Sequence, residues 1–552
     1  MLHPDRFRRT LPARAVRALA ACLLAACLLA VLPASPAFAQ PASPAPAGEA
    51  LVLTLDEALQ IALVQNYNVR NARLDVRNAD AQVREAWGGV MPQVDASASY
   101  TRNLKSPNPF AGSDAGGLFG ALGFVDWLAY NEQARTDEDP ESDPLPFSEF
   151  FERQQEGRRE AGITSSSGSN PFFVPNQFQS GITVSQTLYN GQAFAAIRAA
   201  EQLKELNQRA LDRQEQLIVD QVRRAFYQAL LAQQQATITA QSVERTRNTV
   251  REVTLQVRQG VAPKFQRLSA EVQLANLETQ LIQATNAAAT ALDNLKLTLG
   301  IPIEQPLRLR GDLEAEDRGA YLSISAQDAL RIALEQRPDL KQAALNVQLR
   351  EVDKNLTRAQ FFPTLSAFAN FNYVGSVPDN RSYVISDPDD PFTFSRGERG
   401  FFSQSYWNPS ISAGLRLSWN LFNGFQTSAQ MQQRQIAIDR AVTEQEQLLQ
   451  SVQLEVTQAL RDLQAAQRRI LSQEQNVDRA ALNYEYALAR LREGVASPLE
   501  EREASEQLDQ ARVNHLQAVH DYLVARSAFE RAVGLPPFQS AASRFQLTRL
   551  DD

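Results

Sequence analysis

The chain sets out one pattern twice. Thr54-Leu55-Asp56-Glu57-Ala58-Leu59-Gln60-Ile61-Ala62-Leu63 returns without a gap as Ser325-Ala326-Gln327-Asp328-Ala329-Leu330-Arg331-Ile332-Ala333-Leu334, and the register holds as far as Pro92 and Pro363. Further on, Leu188-Tyr189-Asn190-Gly191 is echoed by Leu421-Phe422-Asn423-Gly424, Gln259-Gly260-Val261-Ala262 by Glu493-Gly494-Val495-Ala496, and Leu299-Gly300-Ile301-Pro302 by Val533-Gly534-Leu535-Pro536. A unit of roughly 250 residues is far longer than the repeats of solenoids. Each half is therefore one large module, and the second half must build what the first builds.

Helices dominate that module. The runs 192–259 and 425–493 contain neither Gly nor Pro, and at 1.5 Å per residue each predicts a helix of about 100 Å. A globular domain cannot contain such a helix, whereas a coiled coil or a barrel of helices can. After each Gly-Val-Ala turn a shorter helix is expected to run back, from about Phe265 to Leu299 and from about Leu499 to Val533, so that each half holds a long antiparallel hairpin. Upstream, Thr54 is placed to cap a helix with Glu57 in its first turn. A second helix over 69–83 precedes Gly88-Gly89.

Four strand candidates lie between the helices. Val94, Ala96, Ala98 and Tyr100 alternate with Gln93, Asp95, Ser97, Ser99 and Thr101, and in 181–189 Ile182, Val184 and Leu188 alternate with Thr183, Ser185 and Thr187. The second half gives Leu365, Ala367, Ala369, Phe371 and Tyr373, then Leu415, Leu417, Trp419 and Leu421, again against polar neighbours. Apolar-out, polar-in alternation over about ten residues with aromatic flanks suits a transmembrane barrel strand, although half-exposed soluble sheets alternate too. Four strands cannot close a water-filled barrel, and an open edge in lipid leaves backbone groups unpaired, so several copies must share one barrel. The connections 103–177 and 375–408 read as long loops, the first with a short helix over 147–159.

Composition sets the compartment. Arg6, Arg8, Arg9, Arg14 and Arg17, the apolar run 18–32 and Ala37-Phe38-Ala39 make the three parts of a secretory signal peptide, cut before Gln40. Cys22 and Cys27 each follow Leu-Ala-Ala, as in a lipoprotein cleavage box, but the apolar run continues past Cys27, which argues against lipidation. The formal charge of −8 includes +4 from this leader, five Arg against Asp5, leaving the remainder near −12. That excludes the basic footprint of a nucleic-acid binder. Nothing after the leader is apolar for long enough to make a membrane-spanning helix.

The duplicated order of the Ala58-Leu59 and Ala329-Leu330 helix starts, Met91-Pro92 and Phe362-Pro363 before strands, the Leu-aromatic-Asn-Gly exits at Gly191 and Gly424 and the Gly-Val turns resembles the TolC-type outer-membrane factors. The resemblance runs from Leu53 to Pro537. It implies an α+β membrane protein: tandem long helical hairpins forming a periplasmic α-barrel tunnel, and four strands per chain contributing to a trimeric twelve-stranded outer-membrane β-barrel. The implied role is the exit duct of a tripartite efflux pump or a type I secretion system, as a homotrimer with a periplasmic adaptor protein, an inner-membrane transporter and outer-membrane lipid as partners. The expected divisions are a signal peptide 1–39, a tether 40–52, a first repeat 53–302, an equatorial segment 303–323, a second repeat 324–537 and a C-terminal equatorial segment 538–552.

The resemblance also assigns residues. An acidic pair just past the second tip would narrow the tunnel mouth, here Glu500 and Glu503, three apart and on one helix face. The competing reading is a solvated helix start, where carboxylates suit the positive end of the dipole. The tips Gly260, Val261, Ala262 and Gly494, Val495, Ala496 fall to adaptor contact. Well-studied members latch the mouth with a tyrosine, an arginine and an aspartate; those positions are Leu491, Ala496 and Gln266, so that latch is missing. Lys264 and Arg267 on one hairpin and Glu500, Glu501 and Glu503 on the other offer a substitute pairing. No catalytic, cofactor or metal site is expected: His515 and His520 have the wrong spacing for a helical zinc pair and read as surface histidines. The alternative function is a coiled-coil strut, periplasmic or at the cell surface, that conducts nothing.

Overall fold

In the computed structural model the described residues are 50–105, 115–136, 143–163, 173–315, 324–387, 390–493, 495 and 497–538. The expected signal peptide with Cys22 and Cys27, most of the tether, residues 316–323 and the C-terminal segment from 539 lie outside them.

The duplication is real in three dimensions. Helices α1 (Leu55–Gln65) and α2 (Tyr67–Gly88) open the first repeat. Thr54 and Glu57 close a reciprocal capping box, Thr54 N–H donating to the Glu57 carboxylate at 2.9 Å, which satisfies amides that a helix start leaves free. Strand β1 (Gln93–Arg102) leads into an excursion that holds α3 (Ala115–Thr136) and α4 (Phe147–Glu160), and β2 (Asn176–Tyr189) returns. The hairpin α5 (Gly191–Arg258) and α6 (Lys264–Leu299) ends the repeat. The second repeat gives α7 (Ala326–Gln336), α8 (Pro338–Arg358), β3 (Thr364–Val377), β4 (Trp407–Ser418), α9 (Gln426–Arg492) and α10 (Pro498–Val533). The long helices have 68 and 67 residues and their return helices 36 each. No described helix is long and apolar enough to cross a membrane.

The four strands form one antiparallel sheet in the order β1-β2-β3-β4, with β1 and β4 as free edges. Its register sorts the side chains. Val94 stands opposite Val184 and Val184 opposite Ala369; Ala96, Ile182, Phe371 and Ile411 form the next row, and Tyr100 faces Phe178. The other face carries Asp95, Thr183, Asn370 and Ser412 in one row and Ser99, Gln179, Val374 and Asn408 in another. Ile411, Leu415 and Leu417 are 79%, 68% and 66% exposed, an arrangement stable in hydrocarbon and costly in water. Tyr100, Phe178, Tyr373 and Trp407 pack in a chain of ring contacts at one end, 4.8 to 5.6 Å between centroids, as an interfacial aromatic girdle does.

Several sequence expectations shift. The fourth strand occupies 407–418 instead of 415–421, because Trp407 to Ala413 pair with β3 as far as Gly375, while Trp419 anchors below through its indole N–H to the Phe361 carbonyl at 3.0 Å. The second strand begins at Asn176, five residues before Gly181. The excursion after β1 is more than a loop with one short helix. Asn131 exchanges hydrogen bonds with the Leu145 backbone, 2.8 Å each way, folding α3 against the start of α4. Gly157 of α4 lies against the Phe392 carbonyl, where a Cβ would come within 1.8 Å. Phe392 belongs to the other connection, which is no plain loop either: Ser382–Ser386 pairs with Phe394–Glu398. The two excursions thus form one cap.

Candidate functional site

At the far ends of the hairpins the two tips are built alike. Gly260 takes the left-handed conformation, φ +78°, and Val261 N–H bonds back to the Gln256 carbonyl at 3.0 Å. In the second tip Val495 N–H reaches the Arg490 carbonyl at 2.9 Å. This is the helix-ending pattern that glycine favours. It turns Val261 and Val495 outward, 74% and 68% exposed, with Phe265, Leu268 and Leu499 also bare. Each tip is an apolar knob on a polar rod. Ala262 lies in the first turn; Gly494 and Ala496 fall outside the described residues.

The charges near the tips pair along their own hairpins. Glu500 meets Arg490 at 3.3 Å, and its backbone N–H is capped by Ser497. Arg267 meets Glu271 at 3.5 Å, one turn along the same helix. Within one chain Lys264 and Arg267 do not reach Glu500, Glu501 or Glu503. Glu503 is exposed. Glu501 is half buried, and that burial pushes its carboxyl above its ordinary value, opposed by the Tyr484 hydroxyl and Arg245.

What ties the two hairpins together lies farther from the tips. Arg245 of α5 pairs with Asp509 of α10, Ser242 donates to the same carboxylate at 2.5 Å, and Gln273 of α6 donates to Glu506 at 3.0 Å. These contacts floor a cleft of about 460 Å³ between the hairpins, lined by Phe265, Gln266, Leu499, Glu501 and Arg502 among others. Sequence reasoning missed this tie: Asp509 sits in a helix full of charges, and nothing in its spacing marks it. His520 corrects a second expectation. It is 9% exposed, beside Asp521 and Gln517, because this face of α10 packs inward. No cluster of metal-ligating side chains occurs among the described residues.

Residues 154–301 and 329–535 match the sequence model of the family described as outer membrane efflux protein. The chain belongs to that family. Its matched parts hold both long hairpins and three of the four strands. It is 24% identical over 357 residues to the alkaline protease secretion protein AprF of Pseudomonas aeruginosa, covering 63% of this chain and 68% of that protein. Among solved structures, the outer membrane channel CmeC of Campylobacter jejuni superposes with a TM-score of 0.61 at 14% identity, covering 89% of this chain and 88% of that one. VceC of Vibrio cholerae gives 0.60 at 15% identity, with 88% and 97% covered. This outer membrane efflux protein is thus an exit duct that sits in the outer membrane with a periplasmic helical extension, and its family is one of transport channels.

Proposed function

We propose that three copies close one twelve-stranded barrel and, below it, one tunnel of twelve helices, and that the duct passes cargo from an inner-membrane pump through a periplasmic adaptor seated on the tips. The observation that carries this reading is a sheet with one apolar face and two open edges, joined to helices about 100 Å long. An unpaired edge in hydrocarbon costs several kcal/mol per backbone group, and a neighbouring copy supplies the missing partner. We assign no catalytic step to the chain. We assign residues 303–315 to a belt around the tunnel. The similarity to AprF, named for protease secretion, supports protein cargo; the family description supports efflux; the pump selects between them.

At the mouth, Glu500 and Glu503 would present two carboxylate rings in the trimer and favour cations. Lys264 and Glu503, each without an ion-pair partner among the described residues, would meet across copies, with Arg267 and Glu501 beside them. In planar bilayers, replacing Glu500 and Glu503 together by Gln should lower cation selectivity and weaken block by divalent cations. Unchanged selectivity and block would make them ordinary helix-start residues.

A further inference from the structure

Charge is scarce on the membrane sheet. Its four strands carry Asp95, Arg102 and Arg416 and no other side chain charged at neutral pH. Arg102 is engaged at the cap end, bidentate to Asp379 at 2.7 and 2.8 Å. Asp95 has no ion-pair partner among the described residues, and Arg416 lies over the Phe368 ring, 5.3 Å from its centroid. The two remaining charges have opposite sign, stand on the two free edges β1 and β4, and share the polar face and the end of the sheet nearest the helices. We propose that Asp95 of one copy and Arg416 of the next form an ion pair, three times around the inside of the barrel, and that this pair limits the registers in which copies close. The inference rests on the shared-barrel reading above.

The sheet's own geometry brings them together. Asn103 N–H donates to the Pro175 carbonyl and Ser376 N–H to the Tyr406 carbonyl, both at 2.8 Å. Odd positions of β1 therefore bond to β2, and even positions of β3 bond to β4. Asp95 turns its N–H and C=O towards β2, and Arg416, opposite Ser366, turns its own towards β3. Towards a neighbouring copy both occupy non-hydrogen-bonded positions, where facing Cα atoms come closest. With polar side chains inward and the cap end up, L-chirality places β2 to the left of β1 as seen from the lipid. The right-handed coil of the strands then makes the line perpendicular to them climb towards the left.

Arg416 is level with Ser366 and Thr187 and, by continuation of the register, with Met91 at the foot of β1. A strand tilt of about 35–45° across four spacings of about 4.8 Å raises the perpendicular by about 13–19 Å, or about four to six residues. Arg416 therefore arrives opposite position 95 at the smaller tilt and position 97 at the larger. Asp95 is its direct partner in the first case and its diagonal neighbour, within reach of an arginine, in the second. A register that sets Arg416 four or more residues from position 95 would leave both charges unmatched, which gives the pair its power to exclude such registers.

The test uses the full chain with Cys22 and Cys27 replaced. Arg416→Cys should oxidise to disulfide-linked oligomers on non-reducing gels with Asp95→Cys at the smaller tilt or with Ser97→Cys at the larger, and with Thr101→Cys at neither. Asp95→Arg or Arg416→Asp alone should lower the temperature at which detergent-solubilised trimers dissociate, and the two together should restore it. Trimers that form with neither the 95–416 nor the 97–416 cross-link, or whose stability is the same in all four charge variants, overturn the ion pair and leave the shared barrel standing. A wild-type chain that conducts as a monomer overturns the shared barrel itself.

Discussion

Position 66 in the first repeat is Asn, its counterpart at 337 is Arg, and both are buried, 6% and 2% exposed. Asn66 donates to the Thr298 carbonyl at 2.7 Å. Arg337 donates to the Ala532 carbonyl at 2.8 Å and also holds Asp339 bidentately, at 3.0 and 2.6 Å, and Glu455 at 2.6 Å. A guanidinium this deep is stable only while every donor is matched. Arg337→Ala removes these bonds while leaving Asp339 to Arg213 and Glu455 to Arg531, and should cost about 1.5–3 kcal/mol, read as a fall in the melting temperature. Burial alone would push the Asp339 carboxyl up, but hydrogen bonds from Arg337 and the charges of Arg213 and Arg337 outweigh it and hold it below its ordinary value. A depressed carboxylate stabilises the fold above its unfolded value and loses that contribution as pH falls through the folded one. Thermal stability should therefore drop in acid below the ordinary aspartate range, and Asp339→Asn should flatten part of that drop.

At the scale of elements, the joint between a return helix and the elbow before it occurs twice. Gly300 and Gly534 end α6 and α10 in the left-handed conformation, φ +78° and +80°. A Cβ at 300 would sit 2.7 Å from the Gln65 carbonyl, and one at 534 would sit 2.7 Å from the Arg337 side chain and 2.9 Å from its Cα. Each glycine lets a hairpin close against the turn between two short helices. Gly300→Ala and Gly534→Ala should each destabilise by at least about 1–3 kcal/mol, measured by thermal unfolding of the purified protein, with Gly260→Ala milder because nothing lies within 4 Å of its missing Cβ. These glycines were visible in the sequence as Leu-Gly-Ile-Pro and Val-Gly-Leu-Pro. The backbone they approach was not, since Gln65 and Gly300 are brought together only by packing across the repeat.

For the whole molecule, the exposed apolar tips and the apolar sheet lie at opposite ends of the long helices, and neither is covered among the described residues. Replacing Val261 and Val495 together by Asp should abolish export in cells while leaving trimer assembly and the melting curve unchanged, because both side chains are already in water. Undiminished export would remove the tips from adaptor contact. The division of labour between sequence and fold follows from the range of each interaction. The duplication, the long glycine-free helices, the turns at Gly260 and Gly300 and the alternation in the strands are local patterns, with periods of two or about 3.6 residues, and a reader of the chain finds them unaided. Strand ends, the cap built from two excursions, the burial of His520 and Arg337, and the Arg245–Asp509 tie depend on residues tens to hundreds of positions apart. No local period encodes such a meeting, so tertiary packing alone decided which of the many charged side chains on these helices face each other.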